Sequence, residues 1–499
     1  MDQTLQDLSD DFTELSLLAR SARRHVYEYL QTLELKRTAY SEETYRYLHE
    51  RGVALEREYE TLEGQIVLEL NVQKQWNLED VARLIEAKKT KTELLRVLQS
   101  SIGSVLAAGN WQSPSFAHTI SSQAGNREGE VQANIDDYTR DRYPDEERYA
   151  QLFVQEYVDH GIRLPPRALL TSSCMAALTT VLTHARTHMQ EGDVVFAGST
   201  IYFQNKWVIE EIFPGKVIYV DEFDTDGILT LAQQHQPLVV LLDSLSGTDA
   251  LALPNLQKLI HGLARVLPRR SLLVLDVTAT ATLYQPLVDL PINPFGMQIA
   301  MIASLSKYYQ CGFDRVTAGI IWAPVGSCGD LLEARMHLGT IISDASLYTL
   351  PIPDRAIFDV RLRRIERNAR RLAEHLDAYA KEVDGPVLQM VYPSLPSYRG
   401  YAWTQNAQFQ GGVCTFVFNP RTANAASQEK FARRVFATAK KQGVELVGGA
   451  GFGFNTTRLY YMSAALTGPM RKPFVRIAAG TETIAEVDAL IGVFKSAMI

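Results

Sequence analysis

The chain has 499 residues, 46% hydrophobic and 21% charged, the profile of an ordinary soluble globular protein of two or three domains. Its net charge of −7 argues against nucleic acid as the main partner, and no apolar run approaches the roughly 18 residues that a membrane helix needs. The start, MDQTLQDLSDDF, is too acidic and polar for a secretory signal. Cys174, Cys311, Cys328 and Cys414 lie far apart without a CxxC pair, as expected of reduced thiols in a cytoplasmic protein rather than a disulfide frame or metal site.

Residues 1–108 read as a helical extension. Leu, Ile, Val and Tyr recur at three- and four-residue steps among Glu, Lys and Arg, and Gly and Pro are nearly absent. This extension is expected to pack on the body of the protein or on a second subunit. Residues 109–144 turn to Gly, Ser, Asn and Gln and read as a connector.

From 145 to 350 short apolar runs alternate with helical patterns. DVVFAG (193–198), KVIYVD (216–221), PLVVLLD (237–243), SLLVLD (271–276), IAMIAS (299–304) and AGIIWA (318–323) look like buried strands. The alternation predicts an α/β fold with a mostly parallel sheet, ligands lying beyond the carboxyl ends of its strands. Residues 351–499 read as a smaller α+β domain. It has a long basic helix (361–383), a strand near 411–419, a helix near 427–442, a Gly-rich turn (448–453), a strand near 472–480 and a terminal helix.

Five segments carry chemistry. In TSSCMAALTTVL (171–182), Ser and Thr precede a helix whose first amides, at Ser173, Cys174 and Met175, suit a phosphate; a plain N-cap is the alternative. In STIYFQNKW (199–207), Tyr202 is able to lie on a heteroaromatic ring or to fill a core. In LLVLDVTATATLYQP (272–286), Asp276 ends an apolar strand, where a carboxylate either caps the next loop or meets a partner such as a protonated pyridine nitrogen, and Thr278 follows it. In ASLSKYYQCGFDRVTAGIIW (303–322), Lys307 follows Ser304 and Ser306, a setting that suits Schiff-base chemistry beside a phosphate. In FVRIAAGTET (474–483), Arg476 sits mid-strand, where either a substrate carboxylate or an internal Asp or Glu satisfies it. Taken together and in this order, the five describe pyridoxal 5′-phosphate.

The sequence resembles the cystathionine γ-synthase group, the Cys/Met metabolism branch of fold type I pyridoxal-phosphate enzymes, over roughly residues 134–499. SSCMAAL looks like the family's SSGMAAI, DVTATATLYQPL like DNTFATPYLQxPL, SLSKYYQCGFDRVTAG like SxTKYxxGHSDxxxG, GGVCTF (411–416) like GGMLSF and VRIAAGTET like IRLSVGIED. DDYTRDRYPDEE (136–147) is similar to the family's YSRxxNPT. The resemblance implies that Tyr138 and Arg140 reach the cofactor phosphate of a neighbouring subunit, making the protein an obligate dimer assembled as a tetramer.

It also implies Lys307, Tyr202 and Asp276 as catalytic residues and Arg476 as the substrate-carboxylate anchor. The cofactor would be held by Ser173, Cys174, Met175, Tyr202, Asp276, Thr278, Ser304, Ser306 and Lys307. The implied reaction is elimination or replacement of a γ leaving group on an α-amino acid.

Four departures stand out. Cys174 replaces a Gly, Phe203-Gln204-Asn205 replaces GGT, DSLSGTDA (243–250) lacks the Asn of a Pro-x-Asn-Pro segment and leaves Ser246 or Gly247 in its place, and Phe313 replaces a His. They are expected to ring the substrate site and to mark a branch with an altered substrate. One such branch expels chloride from 4-chloro-allylglycine to give the terminal alkyne propargylglycine. Another uses S-adenosylmethionine. An aminotransferase or β-lyase is a rival reading on the same five segments, and a non-catalytic cofactor-binding regulator is a further one.

Overall fold

The computed structural model describes residues 2–35, 37, 40–109, 144–162, 165–290, 297–462 and 473–499. Three helices open the chain: α1 (Gln3–Leu35), α2 (Glu42–Asn71) and α3 (Val81–Ala108). Leu8, Phe12, Leu15, Ala19 and Val26 recur at three-, four- and seven-residue steps, so they form one apolar stripe along α1. That stripe packs on Leu55, Tyr59, Leu62 and Ile66 of α2 and on Leu84, Leu95 and Ile102 of α3.

The same core includes Cys311, Phe313 and Tyr348 from the body of the protein. Of the two packing partners open to the extension, this chain's own body is therefore one in fact.

Helix α4 (Pro144–Tyr157) then leads into a seven-stranded sheet. In chain order its elements are β1 (Arg167–Thr171), α5 (Cys174–Thr187), β2 (Val195–Gly198), α6 (Phe203–Ile212), β3 (Val217–Val220) and α7 (Thr225–His235). There follow β4 (Val239–Asp243), α8 (Leu256–Val266), β5 (Leu272–Asp276), β6 (Gln298–Ser304) and β7 (Gly319–Ala323).

The strand order is β1-β7-β6-β5-β4-β2-β3. Pairing is parallel from β3 through β2, β4 and β5 to β6, and β7 runs against both β6 and β1. All six apolar runs read from the sequence are strands of this sheet. The sequence did not reveal β1 or the reversal of β7, because a strand buried on both faces is continuously apolar in either direction. Helices cover both faces, and two apolar cores fill the space between them and the sheet.

Helix α9 (Val325–His337) returns to the sheet edge, and α10 (Arg355–Glu382) crosses to a second, five-stranded sheet. That sheet contains β8 (Val387–Val391), β9 (Val413–Phe418), β10 (Val447–Gly448), β11 (Arg458–Met462) and β12 (Phe474–Ala478), backed by α11 (Ala425–Gln442) and α12 (Ile484–Met498). Its order is β10-β11-β12-β9-β8. Strands β8 and β11 had no clear signal in the sequence, since LQMV and RLYYM are too short and mixed to show an alternation.

Helices α1 and α10 meet through charges. Arg367 pairs with Asp7 at 2.7 Å, Arg364 with Asp10 at 3.1 Å and Arg361 with Glu14 at 2.8 Å, while Lys88 of α3 pairs with Asp11 at 2.8 Å. The spacing of 361, 364 and 367 places these arginines along one face of α10.

Where β12 ends, Glu482 is buried beneath the turn at 455–457. Its Oε1 accepts a hydrogen bond from Thr457 N, its Oε2 has no partner among the described residues, and burial pushes its carboxyl up to about 7. A carboxyl raised on folding binds more protons in the folded state, so its contribution to stability falls as pH rises from about 4.3, the unfolded value, to about 7. Glu482→Gln keeps the shape without the charge. It is expected to stabilise the protein by about 2 kcal/mol at pH 8 and by much less at pH 5, as thermal or urea unfolding at the two pH values checks.

Candidate active site

The parallel strands end together, and the register brings Asp243 of β4 opposite Asp276 of β5. The connections that follow β1, β2, β4, β5 and β6 turn over this edge and, with the second sheet, enclose a cavity of about 630 Å³. Ser173, Cys174 and Met175 line it from the start of α5, and Tyr202 from the start of α6. Asp276, Thr278, Ser304, Ser306 and Lys307 line it from the ends of β5 and β6, and Arg476 from β12. Folding thus brings ten of the predicted residues into one place. Tyr138 and Arg140 lie outside the described residues.

The start of α5 is shaped for an anion. Ser173 caps it, its Oγ accepting from Ala176 N at 3.0 Å. The N–H groups of Cys174 and Met175, the first two of the helix, have no partner among the described residues. Gly319 of β7 lies directly beneath: a Cβ there would stand 2.3 Å from Ser173 O and 2.5 Å from Cys174 N. Cys174 in place of a Gly is accommodated by turning its thiol toward Asp276 Oδ2, at 4.0 Å, and Thr278 Oγ1, at 3.9 Å. Burial, with the Asp276 charge beside it, raises the pKa of that thiol well above the usual range, so it stays protonated.

Two of the predicted hydroxyls are partly committed. Thr278 Oγ1 accepts from Ser304 N at 2.9 Å, and Ser306 Oγ accepts from Ala318 N at 3.1 Å. These bonds join the ends of β5, β6 and β7 and fix the bend that presents Lys307.

Asp276 is buried, its Oδ1 accepting from Thr278 N at 3.0 Å and its Oδ2 from Asn205 Nδ2 at 3.2 Å. Asp243 accepts from Tyr202 N at 2.8 Å. Asn205 Nδ2 also approaches Asp243 Oδ1, at 3.5 Å, so one amide bridges the two acids. Burial raises the pKa of both, and the neighbouring Asp276 charge drives Asp243 furthest. A carboxylate held this way favours a cation or a proton donor in the cavity. Glu222, also buried, accepts from Ser199 Oγ at 2.9 Å and Thr200 N at 2.7 Å, fixing the turn that carries Tyr202. Asn205, Asp243 and Glu222 were not singled out from the sequence. Asn205 was noted only as a departure, and nothing local to it announces that it spans two strands.

The Lys307 amine makes no hydrogen bond or ion pair among the described residues, and its Nζ stands 5.7 Å from the centre of the Phe452 ring. Burial lowers its pKa. Arg476 and Arg458 push the same way, and Asp314 opposes them.

Arg476 has no acidic partner among the described residues. Its Nη1 donates to Gly247 O at 2.7 Å, its Nη2 to Ala450 O at 2.6 Å, and its Nε is buried with no partner among the described residues. Gly247, left where the family's Asn was missing, thus serves the guanidinium through its carbonyl. Tyr202 remains 41% exposed, its hydroxyl donating to Gln204 Oε1 at 3.1 Å, and burial of the rest of the ring raises its pKa.

Of the four departures, Phe203-Gln204-Asn205, Ser246-Gly247 and Cys174 do line the cavity. Phe313 does not. It is 2% exposed in the core shared with α1 and α3, where an apolar ring suits the covering extension better than an imidazole.

The family model described as Cys/Met metabolism PLP-dependent enzyme matches residues 102–490. The chain belongs to this family of pyridoxal-phosphate-dependent enzymes. Its cofactor is pyridoxal 5′-phosphate, and the residues present fit that group: unpartnered amides at a helix start, a buried acid, and an unpaired lysine of lowered pKa share one cavity.

The chain is 27% identical over 349 residues to the bifunctional enzyme flvA of Aspergillus flavus, a match covering 69% of this chain and 41% of that protein. The chain thus spans well under half the length of this curated relative. Among solved structures it is similar to metB from Corynebacterium glutamicum, with a TM-score of 0.58 and 19% identity over 80% of this chain and 98% of that one. It is also similar to cystathionine gamma synthase from Xanthomonas oryzae pv. oryzae in complex with cystathionine, with a TM-score of 0.56 and 19% identity over 72% and 88%. Both likenesses establish the shared fold, the fold type I architecture. Among the described residues no helix is long and apolar enough to cross a membrane.

The crowding at Gly319 gives a test. Gly319→Ala sets a methyl against backbone that has no room to yield. It is expected to destabilise the protein by about 2 kcal/mol and to weaken retention of pyridoxal 5′-phosphate roughly tenfold, measured by equilibrium dialysis.

Proposed function

We propose that this enzyme expels or replaces a leaving group on the γ carbon of an α-amino acid, in specialised amino-acid biosynthesis. The observation that carries the reading is the convergence of Lys307, Asp276 and Arg476 on one cavity, the lysine amine unpaired and the arginine without an acidic partner among the described residues. Pyridoxal 5′-phosphate supplies, when bound, a sink for negative charge arising at the substrate's α carbon. Lys307 would hold its aldehyde. The amides of Cys174 and Met175, with the hydroxyls of Ser173, Ser304 and Ser306, would hold its phosphate. Tyr202 would lie against its ring, and Asp276, with Thr278 beside it, would keep its nitrogen protonated.

Arg476 binds the substrate carboxylate. Its two bonds to backbone carbonyls fix the plane of the guanidinium and leave Nε for the ligand. Lys307, with its proton affinity lowered by burial, then removes the proton from the α carbon and moves protons at the β and γ carbons. Tyr202, a phenol protonated at neutral pH, lines the same cavity and would donate a proton to a departing group.

Within this class we put elimination of chloride from 4-chloro-allylglycine, giving propargylglycine, first. Leu245, Val413, Phe452, Met462 and Phe474 make one side of the cavity apolar, suited to a short unsaturated side chain, and chloride departs without needing a proton. γ-Replacement on O-acyl-homoserine or S-adenosylmethionine uses the same groups.

Incubation with each of these three amino acids, with products identified by NMR and mass, tests the reading. Loss of a γ substituent from one of them is expected, whereas keto-acid formation without γ loss would indicate an aminotransferase instead. Lys307→Ala is expected to lower turnover by about 10²–10⁴-fold or more. Full retention of activity in that variant would remove the lysine from the mechanism.

A further inference from the structure

The N-terminal helices α1 and α2 and most of α3 precede the stretch that matches the family, yet their side chains bear on two loops that frame the cavity, one directly and one through Arg361. From α3, Arg96 Nε donates to Phe313 O at 2.8 Å and holds the turn that follows Lys307. From α1, Glu14 pairs at 2.8 Å with Arg361 of α10, whose side chain is 1% exposed. Glu14 is the one carboxylate in ion-pair contact with Arg361 among the described residues.

Arg361 Nη2 in turn donates to Gly453 O at 3.1 Å and to Asn455 Oδ1. Both acceptors belong to the turn at 449–455. That turn delivers Ala450 O to Arg476 Nη2 at 2.6 Å and sets the Phe452 ring 5.7 Å from Lys307 Nζ. It has little slack. A Cβ on Gly453 would stand 2.8 Å from Tyr308 N and 3.0 Å from Lys307 C, and one on Gly312 would stand 2.6 Å from Asn455 Oδ1 and 2.8 Å from Arg361 Nη2. Arg361 therefore sits where the turn after Lys307 and the turn before β11 meet.

We propose that Glu14 is a positioning residue for amino-acid binding: by anchoring Arg361 it sets the 449–455 turn, and through Ala450 O it sets the guanidinium of Arg476. The proposal rests on the reading of Arg476 as the carboxylate anchor. A buried guanidinium stays charged at any working pH, so it must keep an anionic or strongly polar partner. With the Glu14 charge removed, Arg361 depends on Gly453 O and Asn455 Oδ1 alone. Any retreat toward solvent then pulls on the turn that braces Arg476. A small displacement of a substrate-orienting group has a large effect on how well the substrate is held. The extension would in this way be part of the site, rather than a cover over one end of the fold.

The test uses the full-length protein loaded with pyridoxal 5′-phosphate. Glycine, an α-amino acid with no γ group, is titrated by the change in visible absorbance of the bound cofactor. The variants are Glu14→Gln, Asn455→Ala and Arg476→Gln. Arg23→Gln joins them, because it breaks the contacts of Arg23 with Glu56 and Glu60 between α1 and α2 without touching Arg361.

Glu14→Gln and Asn455→Ala are each expected to weaken glycine binding by about 2- to 30-fold, with the thermal midpoint within about 3 °C of wild type. Amides of 449–455 should exchange faster in Glu14→Gln and unchanged in Arg23→Gln. Wild-type glycine affinity in Glu14→Gln, with Arg476→Gln impaired, overturns the proposal. Equal weakening in Glu14→Gln and Arg23→Gln, tracking a fall in stability, overturns it as well. Wild-type affinity in Arg476→Gln overturns the anchor reading itself, and the proposal with it.

Discussion

Two acids side by side at the ends of neighbouring buried strands set the terms for everything around them. Asp243 and Asp276 are opposite one another in the register of β4 and β5, and neither lies in water. Carboxylates so placed repel each other and are poorly solvated, so each needs donors of its own. The chain supplies them from two connections: Tyr202 N and Asn205 Nδ2 after β2, and Thr278 N after β5. Satisfying the acids therefore ties together the loops that form the floor of the cavity.

The opposite wall is cationic. Arg476 stands on the second sheet with carbonyls, not acids, as its partners, and Lys307 stands between the sheets with no partner among the described residues. An empty cavity with acids on one side and cations on the other is costly to assemble, since each charge is only partly compensated. A zwitterionic amino acid and a phosphorylated pyridine offset both sides at once. Burial between the two walls lowers the pKa of Lys307, with Arg476 and Arg458 adding to it, as a proton-shuttling amine needs in order to be neutral for part of the time. Stability given up in the unliganded fold is thus linked to the chemistry of the liganded one.

The extension bears on this arrangement from behind. Its apolar stripe shares a core with Cys311 and Phe313, a few residues beyond Lys307, and its acidic face is matched to the basic face of α10. Phe313 is instructive. In the sequence it looks like an altered substrate-site residue, because a relative's motif has a histidine there. In the structure it belongs to the surface that the extension covers, and the change answers to packing.

Much of the fold was legible in the chain alone. Apolar runs, several of them ending in a polar residue, marked six strands of the seven-stranded sheet, and Ser173, Tyr202, Asp276, Lys307 and Arg476 were picked out by residue type and chain order. Such signals are local: a carboxylate closing an apolar run, or a lysine after small hydroxyls, is unusual wherever it occurs. Nothing local signals that Asn205 spans two acids, that Asp243 faces Asp276, that β7 runs backward, or that Glu14 and Arg361 meet from positions 347 residues apart. Those depend on strand register and on the docking of α1 against α10, which arise only when distant segments pack. The sequence determined which chemical groups the protein has and in what order, and tertiary structure alone decided which of them share a low-dielectric space, because the energy of a buried charge depends on neighbours that chain order does not specify.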